Sequence, residues 1–239
     1  MIFKHDIRAI LFDLDGTLLP MRQEYFLRTY FGLLSEYVTP FGIDPKAFLN
    51  AMKVGIKVML TNDGSVDNKE AFWNGFLSVF EGDKANILPL TDKFYYNDFK
   101  RMRQITAPNE AAKAAIEAAR RKGRRVVLAT NPCFPMSAQL ERMSWICLSE
   151  NDFDLVTSYE NSSFCKPNPK YYLEICEKIG VAPEECLMIG NDESDDMKGA
   201  SEAGMSCYLV TNNRITCDHY IWTGERGSFD QMCSLLERI

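Results

Sequence analysis

The chain has 239 residues, of which 46% are apolar and 25% charged, and its formal net charge is −6. This composition predicts a globular protein with a sizeable core, and the net negative charge argues against a nucleic-acid partner. No apolar run approaches the roughly 20 residues of a membrane-spanning helix, and eight cysteines without a C-x-x-C pair, in a chain that opens without a secretory signal, predict reduced thiols in a cytoplasmic protein.

The first predicted element is a short strand over residues 7–12, an apolar run bounded by a turn signal. The stretch "ILFDLDGTLLP" shows that this strand, apolar on both faces, leads straight into Asp13 and Asp15. From residue 23 to about residue 103, aromatic and aliphatic side chains recur at helical spacing, and turn signals interrupt them at "TPFGIDP", "TNDGS" and "EGDKAN". This part of the chain predicts several helices and no strand.

Helices and strands alternate in the second half of the chain. Helices are predicted over residues 109–123, 136–143, 168–180, 194–204 and 229–238, and strands over residues 124–130, 153–158, 185–192 and 206–210, with 219–222 as a candidate edge strand. This alternation predicts an α/β fold with a Rossmann-type, doubly wound parallel sheet and right-handed crossovers. The predicted core comprises residues 1–19 and 107–239, and residues 20–106 form an inserted, all-helical domain.

Four polar clusters follow the predicted strands or precede a predicted helix. They are Asp13 with Asp15, Thr130 with Asn131, Asp192, and Lys166 in "CKPNP". Because ligands of open α/β sheets bind outside the carboxyl ends of the strands, these clusters are expected to meet at one rim. Carboxylates gathered there repel one another unless a cation joins them, and Mg²⁺ is a small hard cation that suits oxygen ligands. One aspartate could then attack phosphorus while its neighbour exchanges a proton with the leaving oxygen.

The motifs "DLDGT", a threonine after the second strand, "KPNP" and "GNDESDD" occur in an order that resembles the haloacid dehalogenase (HAD) superfamily. The resemblance covers the whole alternating part of the chain. It implies catalysis through an aspartyl-phosphate, with Asp13 as the nucleophile and Asp15 as the general acid and base. It also implies Mg²⁺ held by the Asp13 carboxylate, the Asp15 backbone carbonyl and Asp192.

The same resemblance implies a phosphate site beside the nucleophile. Thr130 and the Asn131 amide would bind the phosphate, and Lys166 would neutralise both the nucleophile and the phosphate. Gly16 lets the backbone turn close to phosphate and metal, and Thr17 is expected to support that turn by hydrogen bonding.

The acidic motif leaves one role open between two residues. Asp196 would orient a metal-bound water or Lys166, and Asp195 is its rival for that role. The i to i+4 spacing from Asp192 favours Asp196. In the motif "GND" of this chain, Asn191 takes the place of the middle aspartate of the commoner motif "GDD". We interpret it as a variable position.

Asp15 distinguishes the branches of the superfamily, since dehalogenases proper lack this second aspartate. The chain therefore resembles the phosphate-transferring branch, and residues 20–106 match the position of a helical C1 cap, which closes the site and chooses the substrate. The leading prediction is a Mg²⁺-dependent phosphatase for a small phosphorylated metabolite. A sugar phosphomutase and a non-catalytic metal- or phosphate-binding protein are the alternatives. The substrate and the oligomeric state stay open.

Several of these residues also fit simpler interpretations. An EF-hand would begin at Asp13 and place Glu24 at position twelve, but its position six would be Leu18 instead of glycine, and a strand precedes it. The aromatic side chains of the cap are expected to pack in its core; they are Phe72, Trp73 and Phe76. Lys53 and Lys57 are expected to be exposed to solvent, and Cys133, near the site, is expected to be a buried structural thiol. The "TNDGS" loop is either a plain turn or a loop facing the substrate.

Overall fold

The computed structural model describes residues 5–82 and 84–239, so residues 1–4 of the predicted core and Asp83 of the predicted turn "EGDKAN" lie outside the described residues. In this part, six strands form one parallel sheet; they are β1 (Ala9–Phe12), β2 (Arg125–Leu128), β3 (Leu155–Val156), β4 (Cys186–Gly190), β5 (Ser206–Val210) and β6 (Arg226–Gly227). Their order is β3-β2-β1-β4-β5-β6, with every neighbouring pair parallel. The predicted doubly wound parallel sheet is confirmed.

Strand β1 lies at the centre of the sheet and is fully buried. Phe12 is in register with Leu128 on one side and Ile189 on the other, so the carboxyl ends of three strands finish level with one another. The backbone N–H of Asp13 still donates to the Ile189 carbonyl at 2.9 Å. Asp13 is therefore fixed at the rim by the ladder that pairs β1 with β4.

Successive residues of the strands face opposite layers of the core, as the period of two requires. One layer contains Ile10, Phe12 and Val126 and continues without a break into the helical segment that follows β1. The other layer contains Ala9 and Leu11 and packs against helices on the far face of the sheet. The short apolar runs of the sequence thus correspond to strands that are buried on both sides.

The chain between β1 and β2 is helical, as predicted, and no strand occurs in its described residues. Its first four α-helices form the helical segment, residues 20–106; they are α1 (Gln23–Val38), α2 (Pro45–Leu60), α3 (Asn68–Leu77) and α4 (Lys84–Asn97). The two connections to the sheet run together, because Ala107 N donates to the Pro20 carbonyl at 3.0 Å and Asn109 Nδ2 donates to the Leu18 carbonyl at 2.8 Å.

The remaining helices are α5 (Ala111–Arg120), α6 (Met136–Ser144), α7 (Pro169–Ile179), α8 (Gly199–Glu202) and α9 (Phe229–Arg238). Helix α7 begins as its sequence predicts: Asn168 caps it by accepting from Lys170 N at 3.0 Å, and Gly180 ends it with a φ of 65°. None of the helices in the described residues is long and apolar enough to cross a membrane.

Two expectations about the elements after β4 need correction. Residues 219–222 do not form the predicted edge strand; β6 takes that place, and this stretch instead lies over the buried Glu193, whose carboxylate accepts from Trp222 N at 3.3 Å. The predicted helix over 194–204 opens as a π-helical turn, Glu193–Lys198, before α8. The turn is widened because both Asp196 N and Met197 N donate to the Asp192 carbonyl.

Candidate active site

Lys166 connects two carboxylates at the carboxyl end of the sheet. Its Nζ donates to Asp13 Oδ1 at 2.8 Å and to Asp196 Oδ1 at 2.6 Å, and the lysine side chain is only 1% exposed. Asp196 also accepts from Asn191 N and Asp192 N at 3.0 and 2.9 Å. The acidic motif and the "CKPNP" segment are therefore joined through one buried ammonium group, and Asp196 is the acid that meets Lys166.

The loop after Asp13 is built around Gly16, Thr17 and Asn191. Gly16 has a φ of +87°, and a Cβ placed on it would lie 2.4 Å from Asn191 Nδ2, so another side chain there would be strained and obstructed. The Thr17 hydroxyl lies 3.0 Å from both Asp13 Oδ2 and Asn191 Oδ1. Asn191, which we interpreted as a variable position, is buried and ties this loop to the Asn213 carbonyl at 2.7 Å.

Asp192 and Asp195 lie beside Asn131 at the same rim. Asp192 Oδ1 caps the π-helical turn by accepting from Ser194 N and Asp195 N at 2.8 and 2.9 Å. Asn131 Nδ2 donates to Asp195 Oδ2 at 3.2 Å. Thr130 is buried and lines a cavity beside these residues. Its backbone carbonyl accepts hydrogen bonds from the hydroxyl groups of neighbouring side chains. The structure thus brings all the residues that the sequence selected to one rim.

Asp15 does not point its carboxylate at Lys166. Its Oδ2 pairs with the guanidinium of Arg142, which is 0% exposed, while Oδ1 is buried without a hydrogen-bond partner among the described residues. Arg142 also donates to Gln139, and its guanidinium lies 4.7 Å from the centre of the Phe134 ring. The sequence interpretation missed this ion pair.

One sequence signal could have pointed to Arg142. It lies four residues after Ala138 and directly before Met143, on the apolar side of a short helix, and all three side chains are buried. A cation in that position needs a buried partner. Nothing in the spacing identifies Asp15 as that partner, because 127 residues separate the two.

Burial dominates the electrostatics of this rim. It raises the pKa of Asp15, against the opposing effect of Arg142, and it raises the pKa of Asp195 to about 6, with the Asp192 charge adding to the rise. Burial also raises the pKa of Asp196, which the Lys166 ammonium opposes. Burial alone would lower the pKa of Lys166, but the adjacent carboxylates raise it well above its ordinary value. Lys166 is therefore a permanent cation in an acidic rim.

The donor set is compatible with a magnesium ion. Among the described residues, no three Asp, Glu, His or Cys side chains converge in a metal-binding arrangement. Mg²⁺ keeps several waters and binds through one or two carboxylates plus other oxygens. Asp13 and Asp192 both line the cavity, and burial, together with the Asp13 charge, raises the pKa of Asp192. Two carboxylates that line one cavity, with water and substrate oxygens beside them, are compatible with this ion.

A cavity of about 490 Å³ extends from the acidic rim to the helical segment. Phe72 and Trp73, which the sequence assigned to the core, are buried as expected, yet both also line this cavity. Phe76 is wholly buried in the core. Lys53 and Lys57 are exposed, as predicted, whereas Cys133 is half-buried and lines the cavity. None of the eight cysteines, all of them in the described residues, forms a disulfide.

The "TNDGS" loop packs against the segment that carries Lys166. Gly64 lies against the Phe164 ring, where a Cβ would approach to 2.3 Å. Just beyond the loop, the fully buried Asn68 donates through its backbone to Ser162 at 2.8 Å and through Nδ2 to the Phe164 carbonyl at 3.2 Å. This loop connects the helical segment to the sheet domain and is a packing element.

Comparison with known proteins places these motifs in a family. A family model described as haloacid dehalogenase-like hydrolase matches residues 7–204. Phosphatase MT3486 from Mycobacterium tuberculosis is 37% identical over 108 residues, which cover 45% of this chain and 48% of that protein. Human N-acylneuraminate-9-phosphatase is 23% identical over 211 residues, which cover 86% of this chain and 83% of that protein.

A solved structure shows the same fold at lower identity. The 2-haloacid dehalogenase from Pseudomonas syringae pv. Tomato DC3000 aligns with a TM-score of 0.62 and 17% identity, covering 97% of this chain and 99% of that chain. The matched span 7–204 contains Asp13, Thr130, Lys166 and Asp192, which the structure gathers at one rim. With more than half of its length matched by the family model, the chain belongs to the haloacid dehalogenase-like hydrolase family.

Proposed function

We propose that this hydrolase is a Mg²⁺-dependent phosphatase that cleaves a small phosphomonoester through an aspartyl-phosphate on Asp13. Hydrolysis of a phosphoric monoester is the class of reaction that the family match and the phosphatases among the relatives indicate. The observation that carries the finer proposal is the setting of Asp13, whose carboxylate is held between Lys166 and Thr17 with Asp15 two residues away.

The residues present account for each proton and charge of the reaction. The Asp13 carboxylate attacks phosphorus, and the alcohol oxygen leaves with the proton of Asp15, whose pKa burial raises. Water then attacks the aspartyl-phosphate and gives a proton to Asp15, which releases phosphate and restores Asp13. Thr130, Asn131 and Lys166 bind the phosphate oxygens during both steps.

A magnesium ion held by Asp13, Asp192 and the Asp15 carbonyl would neutralise the phosphate charge that develops during transfer. Residues 20–106 act as the C1 cap of this enzyme, because their helices complete the cavity over Asp13. Asp196 keeps Lys166 oriented through its 2.6 Å contact. The substrate is a small phosphorylated molecule that fits a cavity of about 490 Å³.

Turnover of p-nitrophenyl phosphate tests this proposal. We expect Mg²⁺-dependent phosphate release that EDTA abolishes and that Asp13→Asn lowers by on the order of a thousandfold or more. Asp44→Asn is the control, because this exposed residue caps α2 and asparagine caps a helix as well as aspartate does. Undiminished turnover by Asp13→Asn would rule out the mechanism, and dependence on a sugar bisphosphate would favour a phosphomutase.

A further inference from the structure

Outside the acidic rim, the wall of the cavity is built from apolar and aromatic side chains. Helix α1 contributes Phe26, Tyr30 and Phe31, helix α2 contributes Met52 and Ile56, and helix α3 contributes Phe72 and Trp73. The sheet domain adds Phe134 and Tyr159 beyond the acidic rim. Two further lining residues, Leu27 and Leu60, are 42% and 45% exposed, so apolar side chains also reach the surface around the cavity.

Most polar groups of this wall already have partners; the exception is the indole N–H of Trp73, which is buried without a hydrogen-bond partner among the described residues. The hydroxyls of Tyr30 and Tyr95 bond to each other at 2.7 Å, and the Thr91 hydroxyl donates to the Leu88 carbonyl at 2.9 Å. Burial raises the pKa of both tyrosines, so they stay neutral. Exposed Gln23 is the other polar side chain that α1 contributes. A leaving group rich in hydroxyls would therefore leave most of them without partners, which is unfavourable inside a cavity.

The charged side chains that line the cavity also disfavour a charged leaving group. Lys166 is the only cationic side chain among the described residues that line the cavity, and Asp13 and Asp196 already bind its ammonium. The nearby guanidinium of Arg142 lies 5.8 Å from the Phe26 ring centre, but it is paired with Asp15. A carboxylate or second phosphate on the leaving group would have no counter-charge in the wall and would face an acidic rim.

We propose that the cavity selects phosphomonoesters whose alcohol is apolar, ring-sized and uncharged. This inference rests on the proposed function, because the phosphate must lie at Asp13 for the alcohol to reach the aromatic wall. The cavity of about 490 Å³ has the size of a small-molecule site, and such sites bind apolar groups through their aromatic lining. The alcohol then gains by leaving water, whereas a sugar loses its hydration.

Two compounds of nearly equal shape test the inference. Cyclohexylmethyl phosphate and glucose 6-phosphate both carry a six-membered ring on a CH₂–O–phosphate, and they differ mainly in hydroxyls. We expect kcat/KM to favour the cyclohexylmethyl compound at least tenfold, with phosphoglycolate, which carries a carboxylate, below both. A ratio near one, or a preference for glucose 6-phosphate or phosphoglycolate, would overturn the inference.

Calorimetric binding to Asp13→Asn with Mg²⁺ separates this inference from the proposed function. If the wild-type protein turns over neither these two esters nor p-nitrophenyl phosphate, the proposed function fails, yet a tenfold tighter Kd for the cyclohexylmethyl compound would still support the apolar selection. Equal Kd values, or tighter binding of glucose 6-phosphate, would contradict it whatever the turnover.

A matched pair of surface variants locates the selection in the cavity. Leu60→Gln places a polar group on the lining, and Leu173→Gln makes the same change at a side chain that is 44% exposed on α7 and lies outside the cavity. We expect Leu60→Gln to lower the preference for the cyclohexylmethyl compound by about threefold or more and Leu173→Gln to leave it unchanged. If both variants changed the substrate preference equally, the apolar lining of the cavity would not be the source of that preference.

Discussion

Arg142 is a buried cation that is paired with Asp15. Its side chain is 0% exposed, and it contacts Asp15, Gln139 and the rings of Phe134 and Phe26. A buried cation that loses its counter-charge is strongly unfavourable, and so is a carboxylate left without its cation, although Asp15 is 28% exposed and keeps some hydration. The pair therefore orients Asp15 and stabilises the fold at the same time.

A double-mutant cycle measures this pair. We expect Arg142→Met to lower the free energy of unfolding by about 2–4 kcal/mol, because it removes the ion pair and the contact with Phe134. In an Asp15→Asn background the same change is expected to cost about 1–3 kcal/mol less. Urea unfolding of the four proteins gives both values, and Arg22→Met, at an exposed arginine, is the control that stays within about 0.5 kcal/mol of wild type. Equal costs in both backgrounds would show that the two residues are not coupled.

Some site residues could be predicted from the sequence because they follow strands. Asp13, Thr130 and Asp192 each come directly after an apolar run, and parallel strands carry such residues to one edge. Asn191 was interpreted as a variable position, because its hydrogen bonds with Thr17 and Asn213 depend on loops that no periodic pattern describes. The ion pair of Arg142 was missed for a related reason, since its partner Asp15 is distant in the chain and no local spacing identifies it.

Helices α2 and α3 form the closest contact between elements of the helical segment. A Cβ placed on Gly55 would lie 2.8 Å from the Phe72 carbonyl oxygen and 2.8 Å from its ring, and one on Gly75 would lie 3.0 Å from Gly55 Cα. The two backbones therefore approach at paired glycines. Gly32 in α1 differs, because no atom lies within 4 Å of the corresponding Cβ position.

These glycines give opposite predictions for one substitution. Gly55→Ala is expected to lower the free energy of unfolding by about 1–3 kcal/mol, since the added methyl group must push a backbone carbonyl away. Gly32→Ala is expected to raise it by about 0.5–1 kcal/mol, because alanine favours a helix and meets no neighbour. Thermal or urea unfolding distinguishes the two. If Gly55→Ala left the free energy of unfolding unchanged, α2 and α3 would be able to move apart without loss of stability.

Elements were predictable where local chemistry and packing agree. In α7 the cap, the first-turn proline and the final glycine all sit where the sequence places them. Residues 219–222 have the composition of a strand, yet the Trp222 N–H donates to the Glu193 carboxylate at 3.3 Å, and β6 pairs with β5 instead. A long-range carboxylate contact of this kind leaves no periodic trace in the sequence.

At the scale of the whole molecule, backbone hydrogen bonds among the described residues join the helical segment to the sheet at two places, in addition to the aromatic packing around Phe134. One is the pair of connections at Pro20 and Ala107, which are joined by a hydrogen bond of 3.0 Å. The other is the start of α3, where Asn68 and Lys69 donate backbone hydrogen bonds to Ser162 and Tyr159. Because Ser162 lies a few residues before Lys166, this second contact fixes the helical segment close to the site.

Acid stability of the whole molecule depends on carboxylates that join elements of the sheet edge. Asp154 precedes β3 and accepts from Val126 N at 2.8 Å, Arg125 at 2.9 Å and Arg120 at 3.1 Å, which connects it to β2 and α5. Partial burial raises the pKa of Asp154, but these donors outweigh that effect and hold it below its ordinary value. Its stabilising contribution is therefore fully present above a pH of about 4 and is lost as the pH falls through the lower pKa of the folded state.

Asp154→Asn should remove that dependence on pH. At pH 7 we expect the variant to lose about 1–2 kcal/mol of unfolding free energy, because the ionised acceptor of three donors is gone. The difference from wild type should shrink as the pH falls below about 4 and through the lowered pKa of the folded state, where the native carboxylate itself becomes protonated. Urea unfolding curves at several pH values measure the difference, with Glu177→Gln, at an exposed residue of α7, as the control. A difference in unfolding free energy that stays constant as the pH falls from 7 to well below 4 would show that the charge of Asp154 contributes nothing and that only its shape matters at this edge of the sheet.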